Sequence, residues 1–196
     1  DIYDNSILRE NLVLARLFEI LTRDGFLENT VIVLASDHGE AFNERGYEGH
    51  ARYVYRETTH VPLIMSLPFK LEPGVVVEKI TRNVDIWPTV LDLLGLPAME
   101  EADGRSQLPA ILAAARGEVS NEPLEAVYAH LDRTWGQRQS RTASTVSVLD
   151  GSYRYVRIPL PGGSYGEELF DMKNDAPELK DVASEHPEIA EQMSAL

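Results

Sequence analysis

The segment that most constrains this chain is a short apolar run that ends in a cluster of polar residues. Val31 to Ala35 is apolar and rich in β-branched side chains, which predicts a buried strand of a parallel sheet. Ser36-Asp37-His38-Gly39-Glu40 comes directly after it. In open α/β sheets, functional groups collect beyond the carboxyl ends of such strands. A carboxylate and an imidazole side by side there can ligate one metal ion, and Gly39 lets the backbone turn sharply after them. For this pair alone, the structural alternative is a helix cap followed by a solvated loop histidine.

Length and charge set the broad class of the protein. The chain has 196 residues, which suits one domain, or one large domain with a small appendage. Its 32 acidic residues against 18 basic ones give a formal net charge of −14. Nucleic-acid-binding surfaces need clustered Lys and Arg, so we expect no nucleic-acid partner. No run approaches the ~20 apolar residues of a membrane span. The chain contains no cysteine, which excludes a disulfide framework and a thiolate metal site.

Hydrophobic periodicity divides the chain into two parts. In residues 1–120, helical stripes alternate with short apolar strands. The predicted elements are a helix over Asn5 to Arg23, strands over Val31 to Ala35 and Val61 to Met65, a helix over Val84 to Leu94 that Gly95 ends, and a short helix over Gln107 to Arg116. Gly117 to Pro123 is the linker candidate. This part predicts the α/β fold class, with a mostly parallel sheet and flanking helices.

Residues 121–196 have a different pattern, of short alternating segments. The predicted strands are Ala126 to Leu131, Ala143 to Leu149, Tyr153 to Ile158 and Glu168 to Phe170. Asp150-Gly151 lies between two of them and predicts a hairpin. Pro187 to Leu196 predicts a terminal helix. We therefore expect a small antiparallel sheet with a terminal helix as the second subdomain.

One further histidine is a candidate for chemistry in the first part. His50 lies twelve residues after His38, in a loop that contains glycine, and such a side chain can bind an anionic substrate oxygen or act as a general acid. Arg45, Arg52 and Arg56 lie in the same segment and suit bidentate oxyanion contacts, although pairing with nearby glutamates is the more ordinary role. His60 and His130 border or end predicted strands, and we expect structural roles for both.

Taken together, the motifs resemble those of the sulfatase family of the alkaline-phosphatase-like superfamily. Ser36-Asp37-His38-Gly39-Glu40 is similar to the family's second metal-binding motif, and Gly49-His50 with the segment up to Ile64 resembles the family's next segment. Val84 to Gly95 and then Asp103-Gly104-Arg105-Ser106 are similar to a further signature. Gly151 to Tyr155 and Glu168 to Met172 resemble the closing hairpin. Each piece is weak alone, whereas their order and spacing together are specific.

The resemblance implies a function and a site. It implies a divalent metal ion held by Asp37 and His38, with Ca²⁺ as the favoured ion and Mn²⁺, Mg²⁺ and Zn²⁺ as alternatives. His50 matches the position, occupied by Lys or His, that contacts the transferred sulfate or phosphate, and so takes both a catalytic and a substrate-binding role. The implied partner is an anionic sulfate or phosphate ester, and a periplasmic or extracytoplasmic location is favoured. Neither the substrate's organic group nor the oligomeric state follows from the sequence.

Two departures from the family pattern matter for this interpretation. The family's nucleophile is a Cys or Ser, converted to formylglycine, in a C/S-x-P-x-R motif, and that motif does not occur here. The family's first pair of acidic metal ligands has no counterpart either. The chain starts at Asp1 without a methionine, and we expect it to be the C-terminal part of a longer hydrolase, inactive alone.

Other functions stay open beside sulfuric ester hydrolysis. A phosphodiesterase, a phosphonate hydrolase or a phosphoethanolamine-type transferase of the same superfamily is compatible with the Asp-His pair, since only the nucleophile would separate them. A further alternative is a non-catalytic remnant that binds a partner through the old cleft.

Overall fold

The structure is a computed structural model, and it describes residues 2–67, 73–120, 125–132 and 144–196. The first helix, α1 (Ile2–Arg23), is longer than predicted and begins three residues before Asn5. None of its residues is buried. Its predicted apolar stripe is therefore present but exposed, and includes Ile7, Leu8, Leu12, Leu17 and Phe18. A 3₁₀ turn, Leu27–Asn29, leads from α1 to the first strand.

The predicted strands of the first part form a two-stranded sheet. β1 (Ile32–Ala35) pairs with β2 (Leu63–Ser66) in antiparallel register, with Val33 opposite Met65. A one-turn helix, α2 (Arg56–Thr59), lies between them in the chain. Two expectations therefore fail within the described residues: the strand pairings there are antiparallel, and β1 is half-buried to exposed. The long connection from residue 36 to residue 62 permits either strand direction, and β2 is the one described strand that pairs with β1.

A helical layer comes after the sheet and is organised by a buried carboxylate. A 3₁₀ turn (Asn83–Asp85) leads into α3 (Ile86–Leu94), which ends at Gly95 in the left-handed region (φ 67°), as the sequence predicts. The next helix is α4 (Leu108–Ala115). Asp85 is 2% exposed and accepts hydrogen bonds from the Arg82 side chain, the backbone N–H of Arg105 and the Gln107 amide. Burial alone would raise the pKa of Asp85, but the hydrogen bonds from Arg82 and Arg105 outweigh it and hold the pKa below its usual value.

The second part is the predicted antiparallel sheet. Its four strands lie in chain order: β3 (Val127–Leu131), β4 (Thr145–Asp150), β5 (Tyr153–Pro159) and β6 (Tyr165–Asp171). Asp150 pairs with Tyr153 across a two-residue turn in which Gly151 has φ 58°, so the predicted hairpin is present. One face of the sheet packs against α5 (Pro187–Ser194), through a core of Val148, Tyr155, Leu169, Val182 and Met193.

The other face of this sheet packs against the first part of the chain. Val54 and Tyr55, just before α2, form a second buried cluster with Val156 and Phe170. The Tyr55 hydroxyl donates a hydrogen bond of 2.7 Å to Glu168. The division into residues 1–120 and 121–196 stays a prediction, and its boundary lies outside the described residues. In the part of the chain that the structure describes, no helix is long and apolar enough to cross a membrane.

Candidate metal and substrate site

The Ser36–Glu40 turn at the end of β1 is held by its own polar atoms. The Ser36 hydroxyl donates a hydrogen bond of 2.7 Å to the His38 carbonyl. The backbone N–H of His38 donates one of 3.0 Å to Asp37 Oδ1. From the next layer, the Asn83 side-chain amide donates to the Ser36 carbonyl at 2.9 Å. These bonds engage one oxygen of Asp37 and leave Oδ2 facing the His38 ring.

Asp37 and His38 present two atoms suited to one cation. His38 Nδ1 is 2.9 Å from the Gly39 carbonyl, which can only accept, so Nδ1 carries the proton and Nε2 keeps its lone pair. Nε2 is 3.8 Å from Asp37 Oδ2. Neighbouring ligands held at about 2.0–2.5 Å from one ion stand roughly 3–4 Å apart, so this pair fits a shared metal. Both side chains are open to solvent.

Position 39 requires a glycine because the backbone of α2 lies directly against it. The φ of Gly39 is not positive, so the left-handed freedom of glycine is not what this position uses. Its N–H donates a hydrogen bond of 2.9 Å to the Thr58 carbonyl of α2. A Cβ at this position would lie 2.2 Å from the Glu57 carbonyl oxygen. The absence of a side chain is therefore what lets the turn rest directly on the α2 backbone.

His50 is brought beside His38 by the loop of residues 41–49. Ala41 and Gly49 close the base of that loop by a backbone hydrogen bond of 3.1 Å, and Asn43, Gly46 and Gly49 all have positive φ. The two imidazoles stack, with ring centroids 3.9 Å apart and planes 21° apart. All three residues that the sequence singles out, Asp37, His38 and His50, therefore meet at one place.

Glu40 is the residue of this site to which the sequence assigns no role in the chemistry. Its carboxylate Oε2 is 3.2 Å from His50 Nδ1. Because an ionised carboxylate only accepts, this contact places a proton on Nδ1 and orients the ring. By sequence alone, Glu40 is a partner for a nearby arginine. Its place immediately after Gly39, at the exit of the metal motif, is the signal that could have indicated this role.

Arg45, His60 and His130 make their contacts elsewhere. Arg45 turns toward α2, where its Nε donates a hydrogen bond of 2.9 Å to Glu57, which confirms the expected pairing with a glutamate. His60 ends α2, and burial together with the positive charges of Arg56 and Arg154 lowers its pKa. His130 lies in β3 with Nε2 2.8 Å from the Ser144 hydroxyl, a structural contact.

The described residues supply only part of a metal shell. Across residues 2–67, 73–120, 125–132 and 144–196, no group of three or more His, Cys, Asp and Glu side chains could hold a metal ion. Asp37 and His38 offer two ligand atoms between them. Any ion bound there needs further ligands from water, substrate or other polypeptide.

Comparisons with known proteins bear on both the motif and the fold. The sulfatase family profile matches residues 1–96. Arylsulfatase K from Xenopus laevis is 29% identical over 182 residues, which covers 92% of this chain and 33% of that protein. Choline-sulfatase from Rhizobium meliloti (strain 1021) is 32% identical over 178 residues, which covers 85% of this chain and 30% of that protein. Residues 1–96 of the chain therefore belong to the sulfatase family.

The fold of the chain agrees with the sequence prediction. The phosphonate monoester hydrolase SpPMH from Silicibacter pomeroyi superposes on it with a TM-score of 0.73 at 26% identity, covering 93% of this chain and 36% of that one. The predicted α/β class, as the C-terminal part of an alkaline-phosphatase-like fold with a small antiparallel sheet and a terminal helix, is confirmed. The chain spans about a third of the length of the curated relatives it matches.

Proposed function

We propose that these residues form the C-terminal part of a metal-dependent sulfuric ester hydrolase. Asp37 and His38 supply two ligands to a divalent ion, and His50 contacts the ester. The observation that supports the proposal is the convergence of Asp37 Oδ2, His38 Nε2 and the stacked His50 ring at the end of β1. Ca²⁺ is the ion we favour, because the resemblance that identified the motif implies it. The activity belongs to the complete protein, since the nucleophile, a formylglycine by resemblance, is not in these residues.

When bound, the ion would act as a Lewis acid on the ester oxygens and help to activate the nucleophile. The contribution of this chain's own residues follows from the hydrogen bonds at His50. With Nδ1 directed at Glu40, the Nε2 atom is the one left to face a substrate oxygen. In the protonated imidazole, Nε2 donates a hydrogen bond to an oxygen that carries developing negative charge, and can pass its proton to the leaving group.

The proposal is tested by separating metal binding from rate in the complete protein. We expect Asp37→Ala to lower the bound divalent metal and to abolish hydrolysis of an aryl sulfate such as 4-nitrophenyl sulfate. The matched control is Asp24→Ala, an exposed aspartate paired with Arg23 in the turn after α1. We expect chelation by EDTA to inactivate the wild type and Ca²⁺ to restore it. Unchanged sulfate-ester turnover in Asp37→Ala would refute the metal assignment.

His50 should behave differently from the metal ligands. We expect His50→Ala to keep its metal content and to lower kcat by about 10²–10⁴-fold, the usual contribution of a positioned proton donor. His130→Ala is the control, because it removes an imidazole whose contact is with Ser144 in the C-terminal sheet. Loss of metal in the His50 variant would instead make His50 part of the metal site.

A phosphonate or phosphodiester substrate is the second candidate, favoured by the likeness to the Silicibacter pomeroyi phosphonate monoester hydrolase. Assaying the same wild-type protein with an aryl phosphonate monoester decides between the two. We expect a higher kcat/KM for the sulfate ester, and the reverse order would assign the protein to phosphonate chemistry.

A further inference from the structure

Glu178 is the least expected side chain of the C-terminal part. It is a glutamate with no solvent exposure, and its backbone lies in the left-handed region at φ 58°, where a non-glycine residue is strained. Its carboxylate oxygens are 2.7 Å from Arg154 Nε and 3.6 Å from Arg45 Nη2. Arg45 also pairs with Glu57. We call Arg45, Glu57, Arg154 and Glu178 the buried charge cluster.

The buried charge cluster is connected to His38 through α2. Glu178 Oε2 accepts a hydrogen bond of 2.9 Å from the backbone N–H of Arg56, the first residue of α2. Arg154 donates one of 3.1 Å to the Thr59 hydroxyl at its end. The α2 backbone in turn accepts the Gly39 N–H at the Thr58 carbonyl. The position of α2, and with it that of the metal motif, therefore depends on two residues of the C-terminal part.

The cluster is also connected to His50, by a second route. Arg45 lies near the tip of the 41–49 loop, and its guanidinium donates hydrogen bonds to the carbonyls of Pro177, at 3.1 Å, and of Glu178. The same group lies over the Tyr55 ring, 3.9 Å from the centroid. The base of that loop carries His50 on one side and Glu40 on the other. Arg45 therefore attaches the 41–49 loop, which leads to His50, to the C-terminal segment.

The energetics of the cluster favour a positional role over a stabilising one. Burial raises the pKa of the Glu178 carboxyl, an effect that Arg154 opposes, and burial lowers the pKa of Arg154. Both shifts mean that burial disfavours the ionised forms. Buried ion pairs of this kind are often no more stabilising than apolar side chains of the same shape. What the arginines of an ion pair add is geometric specificity. The directional hydrogen bonds of the guanidinium groups fix where the carboxylates and the backbone carbonyls lie.

We infer that Glu178 and Arg45 are positioning residues. They fix the position of the His38 ring relative to the His50 ring, Glu178 through α2 and Arg45 through the 41–49 loop. This inference rests on the proposed function for its kinetic consequences. The C-terminal part then supports the site, even though none of its residues is assigned to bind the metal or the ester. Outer partners that orient metal ligands typically change metal affinity or activity by about 10–100-fold when removed.

The test compares variants of equal size with a core control in the complete protein. Glu178→Gln keeps the shape of the side chain and removes its charge. Arg45→Lys keeps the positive charge and removes the planar guanidinium group that donates several hydrogen bonds at once. Val182→Ala is the control, a buried core residue on the α5 side of the sheet. At a temperature where all variants are folded, we expect kcat/KM and metal affinity to fall by about 10–100-fold in the cluster variants. Val182→Ala should lower the melting temperature and leave both values near wild type. Glu178→Asp, which keeps the charge, should recover part of the loss.

A readout without substrate or metal separates this inference from the proposed function. In wild type, the stacked rings should shift the imidazole proton NMR signals of His38 and His50 upfield, and Glu178→Gln should move them toward free histidine. Failure of the wild type to hydrolyse sulfate esters would defeat the proposed function and leave this measurement valid. Imidazole signals unchanged in Glu178→Gln, or losses that only follow the melting temperature across all variants, would overturn the positioning role.

Discussion

Replacing Gly39 with alanine tests the contact by which the Ser36–Glu40 turn rests on α2. The added Cβ would lie 2.2 Å from the Glu57 carbonyl oxygen, and 3.1 Å and 3.3 Å from the Glu57 carbonyl carbon and the Thr58 Cα. All three neighbours are backbone atoms, so no side-chain rotation relieves the clash. The turn and α2 must therefore separate by about 1 Å to reach ordinary van der Waals contact.

That separation has a cost in stability and a larger one in function. Overpacking of this kind costs about 1–3 kcal/mol, and loss of the bond from the Gly39 N–H to the Thr58 carbonyl adds about 1 kcal/mol. A typical domain is stable by about 5–15 kcal/mol, so the variant should still fold. Displacing His38 by about 1 Å should cost about 10²-fold in rate, since catalysis depends steeply on alignment.

The assay measures three quantities in the complete protein: the free energy of unfolding, the bound divalent metal and kcat/KM for an aryl sulfate. Gly166→Ala is the matched control, because it makes the same chemical change in β6 where the nearest atoms are 3.7 Å away. We expect that control to match wild type. A Gly39→Ala protein with wild-type metal content and rate would refute the coupling between the close approach and the site.

Two further predictions concern stability and assembly. Asp85→Asn should lower the free energy of unfolding at pH 7 by about 2–4 kcal/mol, because it leaves Arg82 without its buried partner. Since the folded pKa of Asp85 is below its ordinary 3.8, this contribution is present above about pH 4 and is lost as the pH falls through the folded value. Denaturant unfolding should therefore show the two proteins converging in acid, and a constant gap would contradict the assignment. Leu12→Glu places a charge on the exposed apolar stripe of α1, so it should lower the self-association of the isolated chain that light scattering measures. If other polypeptide covers α1 in the complete protein, the same change should lower its free energy of unfolding by about 3–5 kcal/mol. Equal stability of the complete protein with and without this change would show that α1 stays exposed.

The elements that the sequence predicts well are those determined by neighbours along the chain. Asp150-Gly151 forms its hairpin because the turn needs only local geometry, and Gly95 ends α3 for the same reason. The meeting of Asp37, His38 and His50 is predictable from motif order. The antiparallel pairing of β1 and β2 is not, because periodicity reports which face of a strand is apolar and says nothing about its neighbour's direction.

Contacts between distant parts of the chain are out of reach of pattern reasoning. Arg45 and Glu178 are 133 residues apart in sequence, and each occurs in a segment rich in charge where solvation is the ordinary expectation. Only the fold shows that one carboxylate is fully buried. Gly39 illustrates the same limit, since the sequence indicates a glycine that matters but not whether conformation or space requires it.

The arrangement of the arginines bears on how an acidic protein could hold an anionic ester. A net charge of −14 opposes the approach of a sulfate or phosphate group unless local cations reverse the field. Arg45, one of the arginines that the sequence offers for this task, is directed into the buried charge cluster and paired with Glu57. Under the proposed function, attraction for the ester would then fall to an ion held by Asp37 and His38 and to His50. Substrate affinity should accordingly follow metal occupancy, because the same carboxylate that binds the ion would repel the ester in its absence.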